Sequence, residues 1–151
     1  MKLNLPEFEH KFKETDKGKA IFDIVRKKYL LLTPEEWVRQ NFIHYLIFVK
    51  KIPQSLIRVE MYMQVNSMPR RSDIVVHNKQ GSPLLAVECK ATNIKITQLV
   101  FDQLARYNLM LKVPYLIVTN GLNHYFCKYS TEEAKYIFLT EIPEFEDLLT
   151  N

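Results

Sequence analysis

The chain has 151 residues, 47% of them apolar and 25% charged, with a net charge of +4 from 21 basic and 17 acidic side chains. That length and balance suit one domain with one core. They offer no apolar run near the roughly 20 residues of a membrane span and no apolar leader in MKLNLPEFEH, so a cytoplasmic location is the default expectation.

Three glycines, Gly18, Gly81 and Gly121, are too few and too scattered for a dinucleotide fingerprint or a phosphate-cradling P-loop. Cys89 and Cys127 lie far apart, which favours reduced thiols over zinc or a disulfide. The mild excess of base permits a polyanionic partner without demanding one.

Residues 1–17 are polar and charge-rich, and are expected to be an irregular N-terminal extension of a single domain covering 1–151. Residues 21–25 and 29–32 read as strands. Thr33-Pro34-Glu35-Glu36 then announces a helix, with Thr33 as N-cap, Pro34 at the first helical position and Glu36 completing a capping box. Val38, Phe42, Tyr45, Leu46 and Val49 carry the helical spacing, which should end near Lys50 and Lys51 before Pro53.

Strand patterns follow over 56–65, 72–78 and 83–90, the last two joined by the hairpin-like Lys79-Gln80-Gly81-Ser82. Residues 94–111 read as a second helix and 113–119 as a dense apolar strand. Asn120-Gly121 marks a turn into an antiparallel return over 124–129, with a further strand at 136–140 and a short closing helix. Helix, three strands, helix and strands predict the α/β class, a mixed central sheet flanked by helices.

The hairpin carries the chemistry. If its loop closes with Asn78 opposite Pro83, Asp73 falls opposite Glu88. Ile74, Val76, Leu85 and Val87 then share one face, and Asp73, Glu88 and Lys90 the other. Facing carboxylates repel unless a cation sits between them. Mg2+ prefers oxygen ligands and is often held by one or two carboxylates. Lys90 is placed to neutralise charge, orient a water or touch a phosphate. The plainer alternative is a solvated charged face with Lys90 paired to Glu88.

Three features argue for a site. The strand leading to Glu88 (Leu84, Leu85, Ala86, Val87) is as apolar as a central strand. Gln103 stands in the stripe Ile96, Val100, Gln103, Tyr107 and Leu111, where a core residue is expected, and shares a face with Tyr107. Arg70 and Arg71 precede the acidic strand as candidate DNA-binding residues. Glu36 has two readings, helix cap or third carboxylate, and Gln40 lies one turn later on its face.

At this point the residues resemble a known group. Ser72-Asp73 with Glu88-Cys89-Lys90 resembles the PD-(D/E)xK nuclease signature, and Gln103-x-x-x-Tyr107 resembles the extra motif of its RecB-like branch. LTPEEWVRQ, Arg71-Ser72-Asp73-Ile74-Val75, Val87-Glu88-Cys89-Lys90-Ala91 and Val118-Thr119-Asn120-Gly121 are similar to the N-terminal nuclease domain of type I restriction enzyme R subunits, over residues 17–129.

The resemblance implies a restriction-endonuclease-like αβββαβ core. In it Asp73 and Glu88 bind Mg2+, with Mn2+ as substitute and the Cys89 backbone carbonyl as an added ligand. Glu36 matches the acidic residue of the first helix, Lys90 assists the attacking water, and Gln103 and Tyr107 support substrate positioning. Ser72 departs from the proline of the signature, and the helicase motor of a whole R subunit has no counterpart here. Any cutting is then ATP-independent or partner-dependent.

The expected function is Mg2+-dependent DNA hydrolysis leaving a 5′-phosphate. The alternative is a catalytically silent nuclease-fold module that binds DNA or a partner protein. Expected partners are DNA and either a second copy of the chain or a separate motor or specificity protein, with no membrane.

Overall fold

The computed structural model describes residues 1–65 and 68–150; the side chains of 61–72 and of 150 lie outside the described residues. β1 (Phe12–Thr15), β2 (Gly18–Asp23) and β3 (Lys28–Leu31) form an antiparallel three-stranded sheet. β1 falls inside the stretch expected to be irregular. Its four residues are all exposed, so no burial alternation marks it, and pairing with β2 is what makes it a strand.

α1 (Pro34–His44) starts as its sequence requires, with Thr33 Oγ1 accepting the Glu36 N–H at 3.1 Å and Pro34 in the first turn. A π-helical stretch, Tyr45–Val49, carries the helix on to Lys50.

β4 (Ile57–Val65), β5 (Met68–His77), β6 (Pro83–Cys89), β7 (Tyr115–Thr119), β8 (His124–Ser130) and β9 (Lys135–Leu139) form one mixed sheet in that order. Among the described residues only β6 and β7 run parallel, joined by the crossover helix α2 (Gln98–Met110). α3 (Phe145–Thr150) closes the described chain. α2 begins later than its apolar pattern suggested because Thr97 caps it, its hydroxyl accepting the Val100 N–H at 3.2 Å.

The β5–β6 register matches expectation where it matters, with Ile74 opposite Val87 and Val76 opposite Leu85. The loop end differs. His77, not Asn78, pairs with Pro83, because the Asn78 side chain accepts the N–H groups of Gln80 and Ser82 and tightens the turn. A bulge at Leu84 restores the register and turns both Leu84 and Leu85 into the core.

The large sheet is covered on both faces. Val38, Phe42 and Ile43 of α1, with Leu46, pack on Ile74, Val76, Leu85, Val87 and Ile117. Phe101 and Leu104 of α2 pack on Ala86, Leu116, Val118 and Cys127 of the other face. β6 is therefore a central strand buried almost throughout. No helix among the described residues is long and apolar enough to cross a membrane.

His44, at the end of α1, is enclosed by the rings of Phe8, His10 and Phe48. Burial first, and His10 second, push its imidazole down to about 4 against the opposing charge of Asp23. A ring neutral in the fold but protonated when unfolded gives stability that is complete above about pH 6.5 and is lost as pH falls toward 4. Unfolding free energies from urea titrations at pH 7 and 4.5 should differ by about 1–2 kcal/mol more in wild type than in His44→Leu, the full shift being discounted for solvent screening. Equal acid sensitivity of the two proteins would refute this.

Candidate functional site

The β5–β6 ladder ends at Ile74 and Val87. Beyond that pair, the Cys89 N–H, two residues past Val87, donates to Asp73 Oδ2 at 2.7 Å, so a side chain takes the place of a strand carbonyl. Asp73 Oδ1 accepts from Arg39 Nη2 at 3.0 Å. The Asp73 carboxylate is thereby fixed between α1 and the backbone of β6.

Glu88 follows Val87, and alternation turns it to the α2 face, where it is only 5% exposed. There Asn108 Nδ2 lies 3.5 Å from Glu88 Oε1 and 2.8 Å from the Leu104 carbonyl. Lys90 is the first residue past β6. Its N–H donates to the Thr119 carbonyl of β7 at 2.8 Å, and its half-exposed side chain forms no ion pair among the described residues.

α1 and the β2–β3 turn add a charge network. Arg39 Nη1 is 2.6 Å from Glu36 Oε1 and 3.4 Å from Glu60 Oε1, and its Nη2 is 3.0 Å from Glu35 Oε2. Arg26 reaches Asp23, Glu36 and Glu60 at 2.7, 3.2 and 3.0 Å. Gln40 Nε2 donates to Asp23 Oδ2 and Glu36 Oε2, each at 2.9 Å. Among the described residues, five carboxylates (Asp23, Glu35, Glu36, Glu60, Asp73) thus share two guanidiniums, and the cluster keeps an excess of negative charge.

Burial works against the charge of Arg39, but Asp73 and Glu36 outweigh it and raise its pKa further above the arginine value. Burial alone would push the Asp23 carboxyl up. Hydrogen bonds from the Arg26 backbone, Gln40 and the Arg26 side chain outweigh that and hold it below the usual range. The buried Cys89 thiol is pushed well up by burial and by Asp73, against Arg39, and stays protonated.

The strand pair brings Asp73, Glu88 and Lys90 to one end of the sheet, but Asp73 bonds Arg39 of α1 and Glu88 meets Asn108 of α2, so the two carboxylates are held from different helices and not by a shared face alone. Glu36 needs revision as a cap. Thr33 receives its N–H, but its carboxylate is directed at Arg39, Arg26 and Gln40 rather than completing a reciprocal capping box.

The α2 stripe also needs correction. The helix buries Phe101, Leu104, Tyr107 and Asn108, while Gln103 lies on the exposed face. Ile96 and Leu111 flank the helix instead of extending its stripe, and the anchors Phe101 and Leu104 set the rotation. Tyr107 does face inward. The side chains of Arg70 and Arg71 lie outside the described residues.

Sequence reasoning missed Arg39 and Asn108. Arg39 was signalled by its spacing of three and four from Glu36 and Glu35. Asn108 had a weaker signal, a polar residue four beyond Leu104.

The two carboxylates at the strand ends, Asp73 and Glu88, are oxygen donors, the donor type of a hard cation. Among the described residues no group of three or more His, Cys, Asp or Glu is placed to hold a metal. An ion here would rest on two carboxylates, with its other positions left to water and phosphate, as Mg2+ commonly allows. Among the described residues, Asn108 Oδ1 beside Glu88 and Gln40 Oε1 beside Asp23 and Glu36 are buried and accept no hydrogen bond, so acceptor capacity is left over there.

The model of the type I restriction enzyme R protein N terminus matches residues 34–143. No curated protein matches the chain significantly. Among solved structures, a fragment described as "a putative HsdR subunit of a type I restriction enzyme" from Vibrio vulnificus YJ016 is 18% identical. The match covers 70% of this chain and 24% of that one, with a TM-score of 0.42. This chain thus spans about a quarter of that protein's chain. A protein from Anabaena variabilis ATCC 29413 described as "a putative nuclease belonging to DUF820" is 13% identical, over 97% of this chain and 93% of that one, with a TM-score of 0.48.

Proposed function

Because the chain belongs to the family of type I restriction enzyme R protein N termini, we propose that it is a nuclease domain hydrolysing DNA phosphodiester bonds with Mg2+. The carrying observation is the end of the β5–β6 ladder, where Asp73 leaves the strand-pairing pattern near the buried Glu88 and Lys90, which makes no ion pair among the described residues.

In this reading Asp73 and Glu88 hold the ion, helped by the Cys89 carbonyl. Mg2+, when bound, polarises the scissile phosphate and lowers the pKa of a bound water. Lys90 places its ammonium against the charge that develops on the phosphate. Glu36 contributes its carboxylate through Arg39, which it shares with Asp73. Tyr107 braces the α2 side from within, and the exposed Gln103 is available to the substrate. Arg70 and Arg71 meet the phosphodiester backbone. The product carries a 5′-phosphate.

One observation favours a second reading. Arg39 already supplies Asp73 with a cation, which suits a silent nuclease-fold module that binds DNA or a partner such as a second copy or a separate motor or specificity subunit. Incubation of supercoiled, linear and single-stranded DNA with the chain separates the two. Cleavage is expected with Mg2+ or Mn2+ and none with EDTA. Binding without cleavage under any metal supports the silent module instead.

A further inference from the structure

The small sheet β1–β3 lies outside the strand-end site, yet one of its faces has an unusual composition. Pairing sets Lys11, Phe22 and Tyr29 in one row across it and Lys13, Ala20 and Leu31 in the next. Alternation places both rows on the same face. Glu14 and Asp23 fall on the opposite face, the one turned to α1, where Ile21 is fully buried and the Phe12 ring lies 6.4 Å from that of Trp37. Glu9, two residues before Lys11, lies beyond the paired rows. The paired rows therefore carry lysines, aromatic rings, Ala20 and Leu31 and no carboxylate; Glu7 and Glu9 line the cavity beside Lys11 and Phe22, which leaves the excess of positive charge at the Lys13–Tyr29 end.

Lys13 Nζ stands 5.2 Å from the Tyr29 ring centroid, and Lys11 Nζ 5.8 Å from that of Phe22. The two rings meet edge to face at 5.1 Å and 63°. Tyr29 and Leu31 remain 39% and 47% exposed. Ring faces approached by lysine side chains are stacking surfaces for planar groups, and a lysine displaced from a ring is free to meet a phosphate. The β2–β3 turn extends the positive charge. Lys27 is exposed there, while Arg26 between it and β2 is tied to Glu36 and Glu60 of the acidic network.

We propose that this face is a platform for single-stranded DNA. Bases stack on Phe22 and Tyr29, and phosphates meet Lys11, Lys13 and Lys27. The turn leads the strand toward Asp73 and Glu88. A duplex hides the faces of its bases, so only unpaired bases make use of the rings. The strand's destination rests on the nuclease reading; the binding does not.

The test is fluorescence anisotropy of the full chain in EDTA, with a labelled single-stranded oligonucleotide and the same sequence as a duplex. The single strand should bind more tightly. Tyr29→Ala should weaken it about tenfold and Tyr29→Phe should not. Lys13→Gln should reduce the salt slope by about 0.7. Lys135→Gln, on the edge strand β9, should leave binding unchanged. Circular dichroism checks that each variant is folded.

Equal affinity for duplex and single strand, or an unaffected Tyr29→Ala, overturns the platform. No metal is present, so the outcome is independent of cleavage. A chain that cuts DNA while Tyr29→Ala binds normally rejects the platform alone. One that binds single strands through Tyr29 but never cuts rejects only the nuclease reading.

Discussion

Lys90→Ala is expected to leave the fold intact and to lower Mg2+-dependent DNA cleavage about 100- to 1,000-fold. Its side chain is half-exposed and makes no ion pair among the described residues, so its loss should change stability by no more than about 0.5 kcal/mol. The catalytic effect is larger because an ammonium fixed beside a developing phosphate charge acts on the transition state more than on bound substrate.

That difference gives a kinetic signature. kcat should fall with little change in KM, whereas a lysine that merely binds DNA would raise KM. Glu88→Gln supplies the contrast. It keeps the shape of the side chain beside Asn108 but removes a charge, so it should lose Mn2+ binding in a calorimetric titration as well as cleavage. Lys90→Ala should still bind the ion. A Lys90→Ala protein that cuts DNA as fast as wild type sinks the assignment.

The elements that end in these residues were legible because both hairpin strands have one regularly apolar face. Period-two alternation fixes which residues point together once a register is chosen. The register itself came out right for an incomplete reason. The loop is one residue longer than supposed, and the bulge at Leu84 compensates before Val76 and Leu85 meet. A bulge of this kind leaves its mark only as two adjacent apolar residues, which in a buried central strand looks like any other position.

The partners of the site were harder to read. Arg39 reaches Asp73 across 34 positions of sequence, and nothing local announces such a pairing. Its local ion pairs with Glu35 and Glu36 were open to spacing rules, but those rules suggest a solvated helix face, not a buried junction. The α2 stripe failed for a different reason. Apolar residues in the preceding loop, Ile94 and Ile96, continued the helical period past the true start at Gln98 and shifted the inferred face onto Gln103. β1 failed because an exposed strand carries no alternation of burial.

Arg39→Met is expected to destabilise the chain by about 3–5 kcal/mol at neutral pH, the usual result of removing one partner from a buried ion-pair network. Arg39 is 5% exposed, and the side chains of Asp73, Glu36 and Glu60 that face it are 19%, 8% and 22% exposed. Glu35, at 46%, is well solvated and adds little. For a chain of this length the loss should appear as a melting temperature lower by about 10 °C or more.

Adding Asp73→Asn should recover part of the loss, because the two residues contact each other and their effects should not add. Mg2+ sharpens the expectation. If the ion takes the Asp73 oxygen that Arg39 now holds, it must compete with the guanidinium in wild type but not in Arg39→Met. Urea midpoints measured in EDTA and in Mg2+ should then shift further apart in the variant. An equal shift in both proteins would mean that Arg39 and the ion do not share Asp73, and a variant as stable as wild type would mean that Arg39 does not neutralise the acidic cluster.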